Sequence, residues 1–231
     1  MDSNFSFRSI LAGHSFVLME AAVSGILEHT SDAVLHPVLG CAPCIYHASG
    51  QQAMQAVYNG FVVIAREAGV PLLVTAPTWR TNQQLVEKTK VLASINRDAV
   101  LFMQGLIQKL GQARKFPIAL GGLLGPMEDA YRPDLTLDEK SSADFHAWQA
   151  QELAQAGVDY LMAATLPAVE EAAGLARAMA QTRIPYIVSF VLNRQGRILD
   201  DTPLDEAIQR IDAQVVPPPI GYMINCSYPS F

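Results

Sequence analysis

The sequence is short of long hydrophobic runs, of positive charge and of cysteine, and each shortage excludes something. No apolar run reaches the ~18–20 residues that a membrane span needs, although half of the 231 residues are hydrophobic. That apolar content is therefore available for a sizeable core. The opening Met1-Asp2-Ser3-Asn4-Phe5 has no basic region leading into an apolar one, which argues against a secretory signal. Sixteen Lys and Arg stand against 22 Asp and Glu, a net charge of −6. A nucleic-acid surface would need basic patches to displace counterions, so no nucleic-acid partner is expected. No cation-rich amphipathic helix suggests a membrane surface either. Three cysteines are an odd count for a disulfide framework. With no signal sequence, they predict a reducing cytoplasm. Linkers and low-complexity stretches are also missing, so residues 1–231 are expected to form a single domain.

What is present is a recurring unit. Six apolar runs each stop at small or polar residues: Phe16–Glu20, Pro71–Thr75, Ile118–Gly122, Tyr160–Thr165, Tyr186–Phe190 and Ile220–Ile224. Between most of them lie stretches of helical period. Ala53, Val57, Phe61, Ile64 and Ala68 predict a helix over 49–69, stopped at Gly69. Val100, Met103, Leu106, Ile107 and Leu110 predict another over 95–111. Phe145, Trp148, Leu153 and Ala156 predict a third over 142–157. An alanine-rich helix is expected over 169–180. A last helix runs to about Ala213, with Thr202 as its N-cap and Pro203 at its first position. Strict β-then-α alternation implies parallel strands with right-handed crossovers. Two architectures fit: an open doubly wound sheet, or a TIM (β/α)8-type barrel with about six units present. A whole barrel needs ~250 residues.

The candidate site residues stand at the exits of these strands. In parallel α/β folds strand ends are often functional. Glu20 follows four apolar residues; it is either a solvated strand end or a site residue. Thr78, in Ala76-Pro77-Thr78-Trp79-Arg80, follows the second strand and either lines a pocket or anchors a loop. Gly121-Gly122-Leu123-Leu124-Gly125-Pro126 reads as a glycine-rich turn after the third. It matches neither G-x-G-x-x-G nor a Gly-Lys-Ser/Thr phosphate loop. Residues 127–142 form a polar loop long enough to cover a site. Asn225-Cys226-Ser227 ends the sixth strand and presents a thiol. Cys41-Ala42-Pro43-Cys44, with His36 and His47 nearby, has the spacing of a metal knuckle or a redox pair. It is a single pair, with no second Cys-x-x-Cys and no His-x-x-x-His, and incidental thiols are the favoured reading.

Several of these stretches, taken in order, resemble the homocysteine S-methyltransferase family, from about Phe16 to the end. Thr75-Ala76-Pro77-Thr78-Trp79 is similar to the family's Thr-Asn-Thr-Tyr. Gly122 to Pro126 is similar to its Gly-Ser-x-Gly-Pro, and Ala156-Gly157-Val158-Asp159 to its Ala-Gly-Val-Asp. Thr165-Leu166-Pro167 is similar to the end of its Glu-Thr-x-Pro. Ser189-Phe190 with Asp201-Thr202-Pro203-Leu204 is similar to its Ser-Phe and Asp-Gly-Thr-Pro-Leu, and Tyr222 to Cys226 to its Gly-Val-Asn-Cys. The resemblance implies a TIM-type barrel holding one Zn²⁺ on three cysteine thiolates. That zinc would activate the thiol of homocysteine, or of a related thiol or selenol, for attack on a methyl donor. It places Cys226 on the first metal ligand. It places Glu20 where the family has an Asp that binds the substrate's amino group. Thr78, Gly122, Thr165 and Asn225 are the further substrate-binding positions. The partners it implies are a small-molecule thiol and a methyl donor.

The sequence also departs from the family. The Gly-Gly-Cys-Cys-Gly segment that supplies the other two zinc thiolates does not occur. Ala164 replaces a glutamate, and Glu20-Ala21-Ala22-Val23-Ser24 replaces Asp-Gly-Ala-Met-Gly. The expectation is a C-terminally truncated barrel, impaired as a methyltransferase, with open strand edges that favour a homo-oligomer. The alternative is a zinc-free binding or vestigial barrel in which Cys226 is only a strand-end residue.

Overall fold

A computed structural model describes residues 6–111 and 116–228. Residues 1–5, 112–115 and 229–231 lie outside them. By its contacts the chain divides into two compact units, residues 1–122 with 156–159, and residues 123–155 with 160–231.

The first unit begins with α1 (Phe7–Gly13). Its seven residues are too few to show a helical period. Instead a reciprocal cap, Ser6 with Ser9, starts the helix. Then follow β1 (Leu18–Met19), α2 (Val23–Thr30), a short 3-10 turn (Ala42–Tyr46), α3 (Ala48–Ala68), β2 (Leu72–Thr75), α4 (Gln83–Thr89), α5 (Ile95–Gly111) and β3 (Ile118–Leu124). β1, β2 and β3 pair in that order, Leu18 with Leu72 and Leu72 with Ile118, all parallel. β1 is shorter than the expected Phe16–Glu20, and Phe16 is 78% exposed. β3 is longer: Gly121 and Gly122 are strand, not turn, because Gly121 holds the register opposite Thr75. The buried face of α3 is Met54, Tyr58, Val62 and Ala65, with Ile64 outside. The expected face is therefore rotated by one residue. Gly69 stops the helix in the left-handed conformation, as expected.

The second unit holds α6 (Glu139–Gln155), β4 (Tyr160–Leu166), α7 (Val169–Gln181), β5 (Tyr186–Phe190), α8 (Leu204–Gln214) and β6 (Gly221–Ile224). β4, β5 and β6 pair parallel in chain order. β4 and β5 are buried along their whole length and read as apolar runs broken only by Thr165 and Ser189, as a strand covered on both faces requires. α8 begins one residue later than expected. Pro203 is its N-cap, with no side-chain hydrogen bond, and Thr202 lies before the cap. α6 is the larger correction. Its buried face is Ser142, His146, Gln149, Ala150 and Leu153, while Phe145 and Trp148 are half-buried. The partner α7 explains this. A Cβ on Gly174 would stand 2.2 Å from the Glu139 carbonyl oxygen and 2.5 Å from Ser142 Cβ. The helices meet too closely for large side chains, and the polar face of α6 is held by Glu171.

Six strands in chain order, returned through helices, make an α/β fold of the TIM (β/α)8 type, incomplete by two units. No helix among the described residues is long and apolar enough to cross a membrane.

Candidate functional site

In the first unit the candidate group is Glu20, at the exit of β1. Its N–H still pairs with the Leu73 carbonyl at 3.0 Å. The backbone is thus held like strand while the side chain turns inward. Oε1 accepts a 2.6 Å hydrogen bond from the Thr75 hydroxyl. The Tyr58 hydroxyl is within hydrogen-bonding reach of the carboxylate and lies 3.1 Å from the Thr75 carbonyl oxygen. Oε2 is buried and has no partner. The residue as a whole is half-buried, but its carboxylate is sealed. Burial pushes the Glu20 carboxyl up to about 7, and the hydrogen bonds from Thr75 and Tyr58 pull it back only in part. The group is therefore poised to ionise near neutrality, with one oxygen waiting for a donor.

Thr78, expected at the next strand exit, is fully enclosed, and its hydroxyl turns to the Ala76 carbonyl at 3.4 Å. Gly122 is a buried residue within β3. Cys41 and Cys44 are buried free thiols. Burial pushes Cys41 up to about 11, against the Ser24 hydroxyl that donates to its sulfur at 3.2 Å. Burial raises Cys44 as well. Thiols kept protonated in this way are poor nucleophiles and poor ligands, which favours the incidental reading of the pair.

In the second unit the strand exits are tied together by one side chain. The Asn225 amide oxygen accepts from the Thr165 N–H at 3.1 Å and the Ser189 hydroxyl at 2.7 Å. Its nitrogen donates to Thr165 Oγ1 at 2.8 Å and lies 3.4 Å from Cys226 Sγ. A single amide thus joins the ends of β4, β5 and β6. Two of the joined residues have left-handed backbones: Thr165 at φ +66° and Cys226 at φ +51°. That is unusual for a β-branched residue, and it coincides with a register shift in β4 between Ala163 and Leu166. Strain of this kind, over-determined by surrounding hydrogen bonds, gathers at functional sites. Cys226 is exposed. The Tyr131 phenol, from the loop after β3, lies near its sulfur. Ser227 then fixes the chain, its hydroxyl accepting from the Leu192 N–H at 2.8 Å.

Zinc is tested by this donor set. Cys226 is a suitable exposed thiol, but its neighbours are an amide nitrogen and a phenol, not further ligands. Among the described residues no group of three or more His, Cys, Asp and Glu comes together. The described residues do not by themselves fit a three-thiolate zinc ion.

The sequence matches the family profile of the homocysteine S-methyltransferases over residues 17–231. The chain belongs to that family. No curated protein matches it. Among solved structures it is similar to the metallated form of the homocysteine methyltransferase MmuM from Escherichia coli. That match has a TM-score of 0.80 at 19% identity, over 95% of this chain and 77% of the other. The oxidised form of the same enzyme matches with a TM-score of 0.77 at 21% identity, over 95% and 76%. The apo form matches with 0.66 at 18%, over 95% and 74%. At such identities the likeness speaks for the fold.

The family's motifs take on distinct jobs in this S-methyltransferase-family chain. Asp159 of Ala-Gly-Val-Asp is a strut: its N–H donates to the Leu120 carbonyl at 2.7 Å, and its carboxylate accepts from the Leu120 N–H at 2.8 Å. Burial raises its carboxyl. Ala164, in place of a glutamate, is buried beside the β4 irregularity. The sequence reading missed Tyr58 and Thr75 as holders of Glu20, Ser189 as a holder of Asn225, and Tyr131 on Cys226. Only the long polar loop over 127–142 pointed toward the last.

Proposed function

We propose that the protein binds homocysteine, or a closely related thiol or selenol amino acid, and serves methyl transfer to its sulfur. The observation that carries this is Glu20. A sealed carboxylate with an unpartnered oxygen, held only by neutral hydroxyls and backbone, is short of a cation, and an α-ammonium group supplies one. In the reaction the acceptor sulfur loses its proton, forms a bond to the methyl carbon, and the donor leaves as its demethylated form. Glu20 binds the ammonium, and Thr75 and Tyr58 orient Glu20. Thr78 and Gly122, both enclosed, act through the backbone they shape. In the second unit Thr165 and Asn225 are the proposed substrate-binding residues and Cys226 the proposed metal ligand. A zinc ion there would need ligands beyond the described residues. The chemistry assigned to this chain is therefore binding and orientation of the acceptor. Residues 1–231 are proposed to work as one barrel domain, in the cytoplasm, in keeping with three free thiols.

Calorimetric titration with homocysteine tests the reading. The expected result is binding that tightens as pH rises through about 7, where Glu20 ionises, and that Glu20→Ala weakens by about tenfold or more. No binding at millimolar homocysteine overturns it. That outcome favours a zinc-free binding or vestigial barrel, the reading supported by Ala164 and by the incomplete thiolate set.

A further inference from the structure

The reading above leaves unused the most enclosed ionisable pair among the described residues. His146 on α6 and Glu171 on α7 are both completely buried, with His146 Nε2 at 3.1 Å from Glu171 Oε1. The same Oε1 accepts the Met127 N–H at 2.7 Å. Ser142 Oγ donates to the Glu171 carbonyl at 2.7 Å. Glu171 stands in the first turn of α7, where the helix dipole favours a negative charge. A well-packed apolar pair would hold two helices together at least as well as a buried ionisable one. What an apolar pair could not do is grip a backbone N–H from a third element.

Met127 is that third element. It begins the loop between β3 and α6, which holds itself in a tight turn. The Asp129 carboxylate caps the Tyr131 N–H at 2.8 Å, and the Asp129 carbonyl accepts from the Arg132 N–H at 3.0 Å. Arg132 and Asp134 then pair at 2.6 Å. Tyr131, four residues beyond the gripped amide, lies near the Cys226 sulfur. One end of this short turn is thus fixed inside the helix pair, and the other lies beside the thiol.

We propose that Glu171 is a positioning residue: by gripping the Met127 N–H it sets the loop after β3 so that the Tyr131 phenol rests on the Cys226 thiol. The proposal deepens the reading of Cys226 as a site residue and rests on it. The His146 imidazole keeps Oε1 facing Met127, and Ser142 keeps the first turn of α7 in place. Tyr131 thereby controls what approaches the thiol.

The test is the rate of alkylation of Cys226 by iodoacetamide at one pH, followed on its own peptide by mass spectrometry so that Cys41 and Cys44 do not contribute. Tyr131→Phe and Glu171→Leu should change the rate in the same direction, each by about threefold or more. The double variant should go no further than either single one. Glu171→Gln, whose amide oxygen still accepts from Met127, should stay within about twofold of the wild type. An unchanged rate in either Tyr131→Phe or Glu171→Leu overturns the proposal. So do effects that multiply in the double variant, or a Gln variant as disturbed as Leu. In the wild-type protein the Met127 amide should exchange its hydrogen as slowly as the interior of α6 and α7. Exchange at the rate of an open loop overturns the proposal even where Glu171→Leu does not fold. Neither measurement uses homocysteine, a donor or a metal, so the failure of this inference is separable from failure of the homocysteine reading.

Discussion

Each unit encloses one glutamate, and the two are held in different ways. Glu20 receives the Thr75 and Tyr58 hydroxyls and the Thr75 backbone, all neutral. Glu171 receives a backbone N–H and an imidazole, at the start of a helix. Each leaves its second oxygen, Oε2, buried without a partner. What differs is that Glu171 joins two helices and a loop, so that it can act as a fastening between elements, whereas Glu20 stands at a strand exit among neutral groups only. Neither burial nor an unpartnered oxygen separates structural from binding carboxylates; the kind of donors around them, and the elements those donors come from, do.

That contrast can be broken from its stronger side first. Replacing Glu171 with Ala leaves the Met127 N–H and His146 buried without their acceptor. It should destabilise the protein by about 3–5 kcal/mol in urea unfolding. A loss below about 1 kcal/mol would mean that the pair fastens nothing. Glu20→Gln should act the other way. The folded protein holds the Glu20 proton up to about 7, against 4.5 for an ordinary glutamate. Between those values the unfolded chain has lost the proton and the folded one has not, so stability falls as pH rises and stays low above 7. Gln removes that loss. The variant should match the wild type below pH 4.5 and exceed it by about 3 kcal/mol at pH 8. A stability difference that does not depend on pH would place the Glu20 carboxylate in contact with water. The smallest effect is expected at Asn225, which is neutral and well supplied with partners. Asn225→Ala orphans the Thr165 N–H and the Ser189 hydroxyl, a loss of about 2 kcal/mol by thermal unfolding. A loss of a few tenths would show that β4, β5 and β6 keep their ends together without it.

Much of the architecture could be read from the sequence because it is written locally. Apolar runs that stop at polar residues mark all six strands, and Gly69 marks a helix end by its need for a left-handed backbone. The faces of the helices were less legible. α3 carries enough apolar residues to support two neighbouring stripes, and only the contact with its partners selects one. On α6 the obvious stripe, with Phe145 and Trp148, is not the enclosed one. What decides is a glycine in another helix, Gly174, and a carboxylate, Glu171, on the same helix as that glycine. The site showed the same division. Glu20 and Cys226 stood out as strand-exit residues. Their partners did not, because Thr75 lies 55 residues from Glu20, and Asn225 reaches back 60 residues to Thr165. A parallel strand brings such residues side by side only after a full crossover. No spacing rule within a single element can show it.

The left-handed backbone at Cys226 has a consequence for how substitutions at this position will sort. A side chain there holds the chain in a conformation that glycine adopts freely, so Cys226→Gly should relieve roughly 1 kcal/mol. A library screened for resistance to heat should therefore drift toward glycine at 226 and discard the sulfur. A library screened for retention of a thiol ligand should keep cysteine and tolerate the penalty. Run side by side, the two selections would turn one backbone angle, φ +51°, into a readout of whether the thiol is there for use.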